Sequence, residues 1–172
     1  MLIIDDFAAG PPAKSAWRAF SDRVMGGVSG AALAPAVIDG RACLRLTGDV
    51  RLENNGCFIQ MARDLAAGGD TLDASGFAAV ALVVRGNGAT YGCHLRTPDT
   101  VRPWQSYRAT FVASAEWREA ILPFADFLPH RLDQSVDTPL DTRHLRRIGL
   151  VAIGRAFAAD LALARIALLS PA

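Results

Sequence analysis

Residues 78–96 read AAVALVVRGNGATYGCHLR. Residues 78–84 are apolar without break and rich in Val towards their end, the composition of a strand buried on both faces. Arg85-Gly86-Asn87-Gly88 then supplies Asn-Gly turn chemistry, which predicts a hairpin closing at Thr90. From Tyr91 the pattern becomes alternating. Tyr91, Cys93 and Leu95 share one face of a strand, and Gly92, His94 and Arg96 share the other.

The same rhythm of short apolar runs and turn signals extends in both directions. Strands are expected at residues 2–7, 16–21, 36–38, 42–48, 56–61, 78–85, 91–96, 105–111, 116–123, 148–153 and 160–168, with Asp39-Gly40 as a further turn. Residues 148–153 read as a second strand buried on both faces. Residues 161–169 hold several alanines, yet Leu161, Leu163, Ile166 and Leu168 alternate with one irregularity, so this run is read as a strand. Many short strands punctuated by turns predict an all-β antiparallel sandwich or barrel. One or two short helical turns are expected, at residues 142–147 behind an Asp141 N-cap and at 123–128. Residues 128–140, with Pro129 and Pro139, read as an ordered surface loop. No internal repeat or dividing linker appears, so residues 1–172 are expected to form one domain.

Composition narrows the function classes. The chain has 172 residues, 51% hydrophobic and 20% charged, with a net charge of +1. That is long enough and apolar enough to bury a core, and it excludes a disordered chain. A charge near zero leaves no general basic field for nucleic acid or anionic membrane. Cys43, Cys57 and Cys93 are odd in number and lack C-x-x-C spacing, so neither a disulfide framework nor a structural zinc site is expected. The opening MLIIDDF is too short and too acidic for a signal peptide, and no apolar run reaches the ~20 residues that span a bilayer. These features predict a soluble, cytoplasmic protein without metal or cofactor. All but one of the 18 cationic residues are arginine, Lys14 being the exception, as arginine-favouring codon usage would give.

A second stretch, WRAFSDRVMGGVSG from Trp17 to Gly30, sets aromatic and ionic residues beside a Gly26-Gly27 turn. Adjacent glycines permit backbone angles that a side chain forbids. Asp22 and Arg23 read either as a functional pair or as an ion pair bracing that turn, and Arg23 is expected to reach back over it. Trp17 reads as packing rather than a stacking platform, and Met25 as an apolar gap-filler. Asn54-Asn55-Gly56 suits either a left-handed turn or a polar pocket lined by two amides.

Five motifs then stand in order: Trp17 with SDRVMGGVS from Ser21; LENNGCF from Leu52; VRGNG from Val84 before Tyr91; SYRATF from Ser106; and WREAILPFADF from Trp117. In this order they resemble the complex I intermediate-associated protein 30 domain family, over most of the chain. The resemblance implies a jelly-roll β-sandwich of the galactose-binding-like type. It also implies a part in assembling respiratory complex I, which the mitochondrial members assist, while bacterial members are mostly stand-alone domains. The chain departs from the family at Cys57, where a second glycine is usual, and in lacking a mitochondrial presequence, which reads as bacterial.

Alternation in the centre of the chain yields the candidate binding face. If residues 91–96 pair with 104–111, then Gln105, Tyr107, Ala109 and Phe111 join the core set. Trp104, Ser106, Arg108 and Thr110 then join His94 and Arg96 on the opposite face, overhung by residues 97–103. A tryptophan with arginines and a histidine suits an anion, a sugar or a partner protein, set against a plain solvated face. Catalytic signals are missing: there is no G-x-S-x-G, H-E-x-x-H, Walker or Rossmann pattern. Cys93 and His94 are adjacent on a strand, so they point apart. His130 and His144 read as exposed. The reading is a non-catalytic binding or assembly module whose partner is a protein such as a complex I subunit or intermediate. The alternative is a carbohydrate- or small-ligand-binding domain, and no nucleic acid is expected.

Overall fold

A computed structural model describes residues 1–8, 16–130 and 138–172. Its strands, in chain order, are β1 (Leu2–Asp5), β2 (Arg18–Ser21), β3 (Ala32–Ile38), β4 (Arg41–Val50), β5 (Phe58–Asp64), β6 (Ala79–Gly86), β7 (Thr90–Arg96), β8 (Ser106–Val112), β9 (Arg118–Pro123), β10 (Leu128–His130), β11 (Arg147–Ile153) and β12 (Phe157–Leu169). They form two antiparallel sheets. The back sheet runs β3-β4-β12-β6-β9, and the front sheet runs β10-β8-β7-β11-β5-β2. β1 pairs with the end of β12 that extends past β4, Leu2 facing Leu168. The result is a jelly-roll β-sandwich.

Each sheet contains a strand with an unbroken buried run. β6 is buried from Ala79 to Val84 and lies between β12 and β9. β11 is buried from Ile148 to Ala152 and lies between β7 and β5. Such strands cover both of their faces, which explains why neither sequence alternates. Between the sheets, Tyr91, Tyr107, Leu46, Ile59, Met61, Leu82, Leu95, Leu150 and Leu161 are fully buried. Each large apolar side chain withdrawn from water there contributes roughly 1.5–3 kcal/mol. The irregularity in β12 is a register shift between Leu163 and Arg165 opposite β6, where an extra residue lets apolar side chains resume pointing inward.

Three expectations need correction. Residues 85–90 do not close a hairpin, because β6 belongs to the back sheet and β7 to the front. The turn is an arch between sheets, and its Asn87 donates through Nδ2 to the Ala158 carbonyl at 2.8 Å and accepts from the Tyr91 hydroxyl at 2.7 Å. Asn-Gly chemistry reverses the chain in either case; the choice of partner is made by β12, β9, β11 and β8, which are distant in sequence. Asp39-Gly40, in contrast, does join the paired strands β3 and β4, with φ of 48° and 74° at the two positions, the double left-handed geometry of a tight hairpin. Second, β10 was not anticipated: three residues after the 124–126 turn, with Pro129 among them, pair with β8. Third, the two expected short helical turns are present, at Phe124–Asp126 and Thr142–His144, and three further 3-10 turns join them among the described residues. At Thr142–His144, Asp141 accepts from the Arg143 amide as N-cap. The surface-loop expectation for residues 128–140 falls in part on 131–137, outside the described residues.

Candidate functional site

Two regions gather the polar residues singled out above. The first is a junction built around Asp22, which is fully buried. Its Oδ1 accepts from the Ser29 amide at 3.0 Å, and its Oδ2 accepts from the Phe58 amide at 3.2 Å and from the Ser29 hydroxyl. The carboxylate thus ties the segment after β2 to the start of β5. Two glycines make this approach possible. A Cβ on Gly27 would lie 2.3 Å from Asp22 Oδ1, and one on Gly56 would lie 2.6 Å from Oδ2. Gly26 is different: it has φ of +84° with open space around it and caps the 22–25 turn. Arg23 does not face Asp22. It is exposed and donates through Nε to the Ser29 carbonyl at 3.0 Å, closing the loop over itself. Asn54 is exposed in a left-handed conformation, φ +57°; the Asn55 side chain, like that of Met25, lies outside the described residues. Trp17 is buried and donates through Nε1 to Asp5 at 3.0 Å.

The second region is a cleft on the outer face of the front sheet. Pairing of β7 with β8 sets His94 opposite Arg108, and pairing of β7 with β11 sets His94 opposite Gly149 and Arg96 opposite Arg147. Tyr91, Cys93 and Leu95 point into the core. The cleft is therefore lined by His94, Arg96, Arg108, Arg147, Gln60 and Gln105, with Phe58, Ser106 and Pro103 at its margins, and encloses about 80 Å³. Glycines within strands shape its floor. A Cβ on Gly92 would lie 2.8 Å from His94 Nε2, and one on Gly149 would lie 2.9 Å from Gln60 Oε1. Their absence lets the imidazole and the amide lie down across the sheet.

The cations are held in place. Arg96 donates to the Thr100 and Arg102 carbonyls at 2.8 and 3.1 Å, which fixes the overhanging loop. Arg108 donates to the Ser106 hydroxyl at 2.8 Å. Arg147 donates to Asp64 at 2.8 Å and its guanidinium stands 5.7 Å from the centre of the Phe20 ring. Burial, then the charges of Arg108 and His130, push the His94 pKa down to about 3, so it is neutral at physiological pH. Burial and the neighbouring Arg147 and Arg146 lower that of Arg96 from its ordinary value.

Trp104 is placed differently from the alternation. Residues 102–105 form a turn closed by the Gln105 amide on the Arg102 carbonyl at 3.1 Å, so strand alternation begins only at Ser106. Trp104 stays 44% exposed and is outside the cleft lining, whereas Gln105 turns into it. Gln60, Gln105, Arg147 and Gly149 were not singled out from the sequence. The available signal was the pair of glycines inside apolar strands, Gly92 and Gly149, since strand glycines mark a close approach. Among the described residues, no group of three or more His, Cys, Asp or Glu is placed to hold a metal ion, and no helix is long and apolar enough to cross a membrane.

The fold is a jelly-roll sandwich of the galactose-binding-like type, with a polar cleft on the outer face of one sheet. The model of the family Complex I intermediate-associated protein 30 matches residues 6–163, and the chain belongs to that family. No curated protein matches it. Among solved structures, it is similar to a family 11 carbohydrate-binding module from Clostridium thermocellum in complex with a β-1,3-1,4-mixed-linked tetrasaccharide. The TM-score is 0.73 at 14% identity, covering 98% of this chain and 95% of that one. A family 30 module of a cellulosomal cellulase from the same organism gives 0.59 at 14% identity, over 83% of this chain and 90% of that one. At such identities the likeness shows the fold.

Proposed function

We propose that this protein is a non-catalytic binding module that serves the assembly of a protein complex, respiratory complex I being the family's namesake, and that it binds through the front-sheet cleft. The observation that carries this reading is the convergence of Arg96, Arg108, Arg147, His94, Gln60 and Gln105, drawn from four strands and a loop, on one open face. Polar groups converging on a concavity are the usual mark of a binding site. Chemistry has less support: His94 is neutral and faces cations, and burial drives the Cys93 thiol pKa well above its ordinary value, so it is inert. The Asp22 junction, with Arg23, Gly26, Gly27 and Asn54, then acts as a brace. Phe58, whose amide it holds, lines the cleft two residues before Gln60. The module is taken to work as one domain in the cytoplasm.

Deleting the gene in a host that makes complex I should lower the assembled complex on native gels and leave subcomplexes. Unchanged assembly and unchanged NADH:quinone activity would remove the assembly role. A second reading, saccharide binding, is favoured by the amides of Gln60 and Gln105 and the neutral His94 imidazole, which both donate and accept as hydroxyl groups do. Carbohydrate-binding modules share the fold. Titration with gluco-oligosaccharides, followed by amide shifts in the cleft, separates this reading from the first.

A further inference from the structure

We infer that the cleft receives glutamate or aspartate side chains from an extended acidic segment of a partner protein. The inference rests on the reading of the cleft as the binding face and names the partner's chemistry. Charge is the first ground. Three arginines line the cleft, and no carboxylate does among the described residues, although the whole chain carries a net charge of only +1. Asp64 partners Arg147 at the border, whereas Arg96 is bonded to the Thr100 hydroxyl and to the Thr100 and Arg102 carbonyls, neutral groups that do not cancel its charge. Arginine offers planar, paired donors that match a carboxylate.

Size is the second ground. The cleft encloses about 80 Å³, against roughly 300–1,000 Å³ for sites that bury a small molecule or sugar. A carboxylate and its methylene stem fit; the rest of the ligand must lie along the surface. Phe58 is the one aromatic residue in the lining, and Trp104 stands outside it, so a sugar ring finds little to stack on. Spacing is the third ground. Arg96 and Arg147 are paired on adjacent strands and Arg108 lies on the strand beyond β7. Neighbouring strands are ~5 Å apart, while alternate residues of an extended chain present side chains to one face every ~7 Å. Two carboxylates of such a segment therefore have two of these arginines within reach, and the amides of Gln60, on β5 beyond Arg147, and of Gln105, just before β8, flank the arginines as partners for the segment's backbone amides.

The test is an amide-shift titration of the full chain with a capped hexapeptide carrying glutamate at alternate positions, its glutamine counterpart, and trigalacturonate. The glutamate peptide should shift the amides of His94, Arg108, Arg147 and Gln60, and should weaken at least tenfold when salt is raised about tenfold. The glutamine peptide should be at least tenfold weaker. Arg147→Ala should lose binding and Arg147→Lys should recover part of it, with unchanged spectra elsewhere reporting an intact fold. Equal binding of the two peptides overturns the inference. So does binding of trigalacturonate at these residues when the glutamate peptide leaves them unmoved, since the site is then built for an acidic sugar. A silent cleft towards all three, in a protein whose Arg96→Ala/Arg147→Ala variant no longer supports assembly, overturns the acidic segment while leaving the binding face standing. A silent cleft with assembly unaffected by that variant removes both.

Discussion

The Asp22 junction and the front-sheet cleft meet at the Phe58 end of β5, and they are specified in opposite ways. The junction holds the most distinctive motif residues, Ser21 to Ser29 and Asn54 to Phe58, packed so closely that two glycines have no room for a methyl group. The cleft draws two to four alternate residues from each of four strands, with no contiguous motif to mark it. A motif thus reports where the chain must be built one way. A binding face on a sheet is assembled from positions that are contiguous in space and scattered in sequence.

That difference predicts opposite mutational behaviour. The largest effect belongs to Asp22→Ala, which removes three hydrogen bonds and strands the buried Ser29 and Phe58 donors. The expected loss is about 3 kcal/mol or more in denaturant unfolding. A loss below ~1 kcal/mol would show that the junction is not a brace.

The two glycines of the turn sharpen the point. Gly27→Ala drives a methyl group against the Asp22 carboxylate and should cost ~2 kcal/mol or more. Gly26→Ala meets open space and only a left-handed angle, and should cost ~1 kcal/mol. Reversal of this order in thermal melts would contradict the assignment of Gly27 as the packed position. The sequence motif marks both glycines, but a neighbour's carboxylate, reached only through the fold, distinguishes them.

Legibility follows the same division. Strand existence and the buried character of β6 and β11 were readable because burial and alternation are local in sequence. The 85–90 turn reads as a hairpin because local chemistry records the reversal and not the sheet that each strand joins. His94, Arg96 and Arg108 were found by alternation. Trp104 falls outside the cleft because the 102–105 turn interrupts the alternation that the sequence suggests. Gln60 and Arg147 escaped because β5 and β11 reach this face through pairings that span up to ~90 residues of chain, a non-local contact that no window of sequence records.

A pH-dependent effect tests the cleft. The folded His94 resists protonation to about pH 3, while the unfolded chain takes up the proton near pH 6.5. Between those values the unfolded state binds more protons, so stability falls as pH drops through that window and is unaffected by His94 above it. His94→Gln should flatten the profile there. Ring-proton NMR should show a neutral His94 at pH 5, and a titration near pH 6.5 would place it outside the buried environment described. The smallest effect is expected at Trp104→Ala, an exposed position outside the cleft: a change within ~0.5 kcal/mol in stability and no loss of binding.

Complementation tests the central claim, that the front-sheet cleft is the working face, most directly. In a host lacking the gene, the parent chain and its Trp104→Ala variant should restore assembled complex I on native gels. The Arg96→Ala/Arg147→Ala variant, expressed to the same level and melting within a few degrees of the parent, should leave the subcomplexes unassembled. Full restoration by that variant would contradict the account.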